Sequence, residues 1–394
     1  MTSAGVRCLL RPMKVAVTTL VFCIASLLAL GMVMLYSSSM AQVGASYLTK
    51  QLIWCVLGVA ACVAATVVDY RLLKKIWWLP LCVAVLMLAL VLNKHVGAIF
   101  NGARRWFKFG SLTFQPSEFA KLALLIALAW YGEYFQRQMP QWKRGLLIPG
   151  LLIGSTVGLI FKEPDVGNAL VLATVSGIML LVAGIRLRYF LPPVLAAAIG
   201  VGVFIYYNPV RSDRIYSWLH VEETKQNTGH QAREAMVALG SGGVTGKGLG
   251  DGRQKLGFVP LQFSDFIFSI IGEELGLVAT LLVIAAFVAI IFCGTYIAMH
   301  AADTFGLLLG VGITFLIGLQ AFVNIGVVTG ALPNKGLPLP FISHGGSNLL
   351  LMLTCVGLLL SIARQAREAE TGMRNATTEQ ELANPFARRP QPQP

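Results

Sequence analysis

Charge is what this chain has least of. Charged residues make up 12% of its 394 residues, where a soluble protein carries about a quarter. Acids are the scarcer sign, with 18 Asp and Glu against 31 Lys and Arg. That deficit excludes an ordinary soluble enzyme. The seven cysteines form no CxxC pair, and all but Cys8 lie inside apolar runs, which removes a disulfide framework and a zinc site. His95, His220, His230, His300 and His344 show no HxxxH or HExxH spacing, so a histidine metal centre is not indicated. A GxSxG elbow is missing too. No internal repeat stands out, which weighs against an inverted-repeat transporter.

What is abundant is apolar sequence, at 56% of residues with mean hydropathy +0.70. Runs of about 17 or more apolar residues fall near 15–36, 51–68, 76–93, 118–134, 146–161, 166–184, 188–207, 266–293, 303–329 and 346–363. The expected architecture is an all-α integral membrane protein of about ten transmembrane helices. The first run follows Arg7, Arg11 and Lys14 like a signal peptide, but its length marks an uncleaved span. Residues 1–14 then form a cytoplasmic N-terminus and 15–367 the membrane domain. The polar segment 208–262, between spans seven and eight, is a large extracytoplasmic loop, and 368–394 is a disordered cytoplasmic tail.

The net charge of +13 is topological. Arg71, Lys74, Lys75, Arg137, Lys143, Arg144, Arg186, Arg188, Arg364 and Arg367 all fall on the inner side of such a plan. No nucleic-acid partner is expected. The joint 95–117 breaks the pattern: Arg104, Arg105 and Lys108 lie outside, as a topology exception or to face something anionic. In the large loop, GSGGVTGKGLGDG (240–252) resembles nucleotide motifs, yet Gly248 follows Lys247 where a P-loop needs Ser or Thr. No nucleotide is expected there. Its glycines read as a flexible turn or as a backbone that admits a bulky headgroup.

Polar groups inside apolar runs are costly and so informative. Glu118 and Lys121 are three apart, on one face of the fourth span, as an ion pair that serves either structure or substrate. Asp165 begins the sixth span, and Gln320 and Asn324 are four apart in the ninth, spaced for interhelical hydrogen bonds. In SDFIFSIIGEELG (264–276), Ser264 is a candidate N-cap with Asp265 in the first helical turn. There Asp265 either complements the helix dipole or serves as a rim general base. Glu273 and Glu274 would follow about 12–14 Å further along the helix, at membrane depth.

The segments 239–260, 264–276 and GALPNKGLPLPFISHGGSNLL (330–350) resemble signature blocks of the SEDS family (FtsW/RodA), the shape, elongation, division and sporulation proteins. NGARRWFKFGSLTFQPSEFAKL (101–122) and EPDVGNALV (163–171) resemble two further blocks. Five blocks in order cover nearly all the chain before the tail. The resemblance implies a peptidoglycan glycosyltransferase that polymerises lipid II at the outer face of the bacterial cytoplasmic membrane. Its implied partners are a class B penicillin-binding transpeptidase and other divisome proteins. The family's essential Asp maps to Asp265, its span-four pair to Glu118 and Lys121, the Arg of its RRW block to Arg104 or Arg105, and the Asp of its QPDLGT block to Asp165.

Departures from the pattern are Leu261 and Phe263, where members commonly carry Glu and His in PEAHTDFIF, and His344 and Asn348 in place of the Tyr and last Ser of YGGSS. Lys335 in LPNKG leans towards the division-type branch, hence septal wall synthesis. A lipid II flippase using Glu118, Lys121, Glu273 and Glu274, and a noncatalytic scaffold, are the alternatives. For the transferase, one carboxylate is sufficient, because a diphosphate leaving group needs cations rather than an acid. Candidates for that stabilisation are Arg104, Arg105, Lys335 or a divalent ion such as Mg or Mn.

Overall fold

The computed structural model describes residues 3–39, 46–100, 103–110, 112–220, 223, 230–254 and 263–383. The chain runs through α1 (Ser3–Ser39), α2 (Ser46–Val67), the short α3 (Arg71–Lys75) and α4 (Trp78–Val91) into a small antiparallel sheet of β1 (Ala98–Phe100), β2 (Ala103–Phe109) and β3 (Leu112–Phe114). It continues as α5 (Pro116–Tyr134), a π-turn at Lys143–Leu147 leading into α6 (Ile148–Lys162), α7 (Val166–Val182) and α8 (Leu187–Tyr207). Then come α9 (Pro209–Leu219), α10 (His230–Ser241), α11 (Ile267–Met299), α12 (Thr304–Val328) and α13 (Gly346–Ala383).

Seven of these helices are long and apolar enough to cross a membrane, and α4 and α7 are shorter apolar helices. The protein is a multi-span helical membrane protein. An all-round apolar helix faces either the core or lipid, and both cases occur. Nearly all of α5 is buried, as are most of α12 and α13, whereas no residue of α8 is buried. Small residues bring the central helices together. Gly310 of α12 meets Ala298 of α11, and Gly357 of α13 meets the backbone of α2 at Cys62.

Four expectations need correction. The 95–117 joint is a β-sheet, because ARRWFKF alternates with period two and buries Ala103 and Phe107 on one face. Segment 208–262 carries two helices, α9 and α10. The tail is helical as far as Ala383, a stretch with several Ala and Glu, while its ARRPQPQP end lies outside the described residues. The fourth concerns the two glutamates.

At Gly276 (φ 75°, ψ −172°) α11 is broken, so Ile267–Leu275 is a short helix of its own. Glu273 and Glu274 close that short helix and lie at the end of α1, not in mid-span. Ser37 donates to both Glu274 oxygens at 2.8 and 2.7 Å. The Lys247 ammonium bonds Glu273 at 2.8 Å, and the backbone N–H groups of Gly250, Arg253 and Gln254 complete the two carboxylate shells. The glycine-rich segment therefore wraps acids belonging to the chain itself. At Gly246 (φ 82°) a side chain would run into the Glu274 backbone.

Candidate functional site

Asp265 sits in a turn over residues 263–266, just ahead of the short helix that begins at Ile267. It is not a helix cap: Phe266 holds the N-cap position without a side-chain bond, and Ser264 Oγ donates to Asp265 Oδ1 at 2.9 Å. The turn is fixed through its backbone. Asn324 of α12 donates to the Asp265 carbonyl at 2.8 Å, Ser343 Oγ to the Ser264 carbonyl at 2.6 Å, and the His344 N–H to the Phe263 carbonyl at 2.9 Å. Three peptide carbonyls are thus tied to α12 and to the α12–α13 loop, leaving the carboxylate available.

That loop supplies the facing wall. Asn324 also donates to the Leu337 carbonyl at 2.6 Å and Gln320 to the Pro338 carbonyl at 2.9 Å, which pins residues 335–339 over the end of α12. Gly336 lies directly against Asp265 Oδ2, in the space a Cβ would need. Asp265 is half-buried in this crevice. Burial pushes its carboxyl above the usual range, the Ser264 hydroxyl lowers it, and the nearby Asp165 charge raises it further.

Glu118 and Lys121 form the expected ion pair at 2.8 Å. The Lys121 ammonium also reaches Asn168 Oδ1 at 3.2 Å and Gln320 Oε1 at 3.1 Å, and Glu118 Oε2 accepts from Asn348 at 2.9 Å. Both side chains are buried and their polar atoms are engaged. They connect α5, α7, α12 and α13 beneath the site. Asp165 caps α7 by accepting from the Asn168 N–H at 3.2 Å, and its other oxygen accepts from Gln115 at 3.0 Å and from the Asn168 side chain at 2.9 Å. A polar chain thus runs from Asp165 through Asn168, Lys121 and Gln320 to the loop that carries Gly336.

The cations separate by strand alternation. Arg105 shares the face of buried Ala103 and Phe107 and donates to the carbonyls of Glu163 and Pro164 at 2.7 and 2.8 Å. Arg104 points to the opposite face. Lys335 is half-buried, and burial together with Arg211 and Arg214 holds its ammonium below the ordinary lysine value, while Asp165 raises it. Sequence reading missed Arg211 and Arg214, whose i,i+3 spacing on α9 was the available signal. It also missed Glu163, which is buried with neither carboxylate oxygen hydrogen-bonded and is pushed up to about 8, by burial first and then by Asp165.

Two of the family departures meet. Phe263 stacks on Tyr47 at 4.7 Å, and His344 contacts Tyr47 edge-on at 4.8 Å and Phe263 at 6.1 Å. His344 thus lies in the same aromatic cluster as Phe263. Burial, with Lys50 nearby, lowers the His344 imidazole to about 4, so it is neutral at physiological pH. Leu261 lies outside the described residues. Among the described residues no group of three or more His, Cys, Asp or Glu gathers to hold a metal.

Comparison with known proteins agrees with the sequence blocks. The chain is 38% identical over 348 residues to the probable peptidoglycan glycosyltransferase FtsW of Geobacter metallireducens, covering 87% of this chain and 93% of that one. It is 37% identical over 350 residues to stage V sporulation protein E of Bacillus subtilis, covering 86% and 95%. Among solved structures, a chain from a peptidoglycan synthase complex, described for its coordination of polymerization and crosslinking, matches with TM-score 0.75 and 30% identity over 88% of this chain and 97% of that one. The rod shape determining protein RodA of Thermus thermophilus matches with TM-score 0.66 and 30% identity over 88% and 96%. A family model described as cell cycle protein, covering FtsW, RodA and SpoVE, matches residues 18–368. With the family model spanning most of the chain, this protein belongs to the FtsW/RodA/SpoVE family of cell cycle proteins.

Proposed function

We propose that this protein is an inverting peptidoglycan glycosyltransferase that polymerises lipid II into β-1,4 glycan strands and releases undecaprenyl diphosphate, in septal wall synthesis. The observation that carries this reading is the Asp265 carboxylate, half-buried and raised by burial, in a crevice whose backbone is fixed by Asn324 and Ser343. A base in that setting takes the proton of the acceptor 4-hydroxyl as its oxygen attacks the donor's anomeric carbon. The bond to the α-linked diphosphate breaks in the same displacement, its electron pair leaves with the diphosphate, and the new linkage is β. Charge develops on that leaving group, where Lys335 and Arg105 lie on the side of Asp165, and Arg104 extends the cationic rim on the outer face of β2. Glu118, Lys121 and Asp165 hold this wall in place.

In the membrane plan that fits this chemistry, the seven long helices together with α4, α5 and α7 make ten crossings. Both termini are then cytoplasmic and the loop after span seven is extracytoplasmic, in the bacterial inner membrane at the septum. The partner is a class B penicillin-binding transpeptidase within the divisome, as the likeness to a peptidoglycan synthase complex supports. The closed Glu118–Lys121 network argues against a flippase track, which needs polar groups open to a passing headgroup. The test is to supply lipid II to the purified protein with its transpeptidase. Glycan strands support the transferase. Transbilayer movement of lipid II without polymer in vesicles favours the flippase, and neither activity beside an active control enzyme favours the scaffold.

A further inference from the structure

Among the described residues, two arginines on α9 have no ion-pair partner. Arg211 and Arg214 are three residues apart on this helix and share a face. The Arg211 guanidinium lies over the Phe204 ring at 4.1 Å and 5.7 Å from Phe161, and its buried Nη1 has no hydrogen-bond partner. Among the described residues neither arginine makes an ion pair with a carboxylate. The helix is not loose: Trp218 Nε1 donates to the Gly330 carbonyl at 2.7 Å, tying α9 to the loop that carries Lys335. Arg211 is lowered by burial and then by the positive charges of Arg214 and Arg105. Positive groups held together this way repel one another, and a multiply charged anion would relieve that repulsion.

We propose that Arg211 and Arg214 bind the diphosphate of the polyprenyl-linked donor, with Arg211 presenting its planar fork to phosphate oxygens from a base of stacked aromatic rings. Guanidinium suits this place, because stacking on Phe204 fixes the plane and leaves paired N–H donors for bidentate contact. Lys335 and Arg105 complete the ring of positive charge, so the leaving group is held from α9, β2 and the α12–α13 loop together. This assignment rests on the glycosyltransferase reading for its substrate but not for its chemistry. The phosphate headgroup of an anionic phospholipid shares that chemistry and is the competing source.

The experiment uses the full chain in neutral detergent and follows its melting temperature against inorganic pyrophosphate, undecaprenyl diphosphate and phosphatidylglycerol micelles. The variants are Arg211→Gln, Arg214→Gln, Arg211→Lys and Asp265→Asn, each checked for an unchanged elution profile. Pyrophosphate and undecaprenyl diphosphate should stabilise wild type and Asp265→Asn alike. Arg211→Gln should need at least about tenfold more of either ligand, with Arg211→Lys recovering part of the loss. In lipid II turnover, the Arg211→Gln loss should fall more on KM than on kcat. Equal pyrophosphate affinity in wild type and Arg211→Gln overturns the assignment, as does an effect confined to phosphatidylglycerol. Binding needs no turnover, so arginine-dependent binding by a protein that makes no polymer would sustain the anion site while sinking the transferase reading.

Discussion

Asn324, one turn from the end of α12, donates its side-chain amide to the backbone carbonyl of Asp265 at 2.8 Å, and the same nitrogen reaches the Leu337 carbonyl at 2.6 Å. One amide thus registers the two walls of the crevice against each other. Replacing it with Ala leaves two carbonyls without this donor, at about 1–3 kcal/mol for each that stays unpaired. Asn324→Ala should lower the melting temperature and, because a small misplacement at a reacting centre is amplified, reduce kcat about a hundredfold. A variant that melts lower with unchanged kcat would show that the registration does not matter for catalysis.

Gly336 offers a sharper probe of the same crevice. Its missing side chain is the space occupied by Asp265 Oδ2. Gly336→Ala should therefore push the carboxylate aside and lower kcat while leaving the melting temperature near that of wild type, because Gly336 is exposed and its φ is not left-handed. Circular dichroism melts and lipid II turnover on the same preparation separate the two effects.

The pH profile should move with Asp165. A base works only when ionised, and burial and Asp165 both raise Asp265, so activity should rise with pH later than for an ordinary carboxylate. Asp165 also raises Lys335, whose charge is lost at high pH. Asp165→Asn keeps an N-cap acceptor for α7 but removes the negative charge, so both limbs of the bell should shift towards acid. Lys335→Arg should remove the alkaline limb, since guanidinium does not titrate in that range. Rates measured across pH 4 to 10 decide this.

The buried pair tests positioning against substrate contact. Lys121→Met leaves Glu118 with Asn348 and a long contact to Asn168, an uncompensated buried charge worth about 3–5 kcal/mol. Glu118→Gln together with Lys121→Met should recover much of the melting temperature. If the pair touches substrate instead, each single variant should raise KM without the matching loss and recovery of stability.

The legible and hidden parts of this molecule divide by length scale. Hydropathy located the helices because a spanning helix needs its whole length apolar, and the Glu118–Lys121 pair and the Gln320–Asn324 spacing followed from helical geometry. The positions of Glu273 and Glu274 were misread because nothing in SIIGEELG marks Gly276 as a break rather than an ordinary helical glycine. The alternation in ARRWFKF is in the sequence but was passed over, because the joint lies between two spans. The i,i+3 spacing of Arg211 and Arg214 was readable, but what it means depends on Phe204 and on the Trp218 contact that sets α9 against the 330–336 loop.

The central claim is that Asp265 is the base of a polymerising transferase. The direct measurement is glycan strand formation from lipid II by the purified protein with its class B partner, comparing wild type with Asp265→Asn at matched folding and matched partner binding. Wild type should make strands and Asp265→Asn essentially none, with a melting temperature equal to or above that of wild type, because the substitution removes a carboxylate that burial disfavours. Equal strand formation by both proteins would contradict the account.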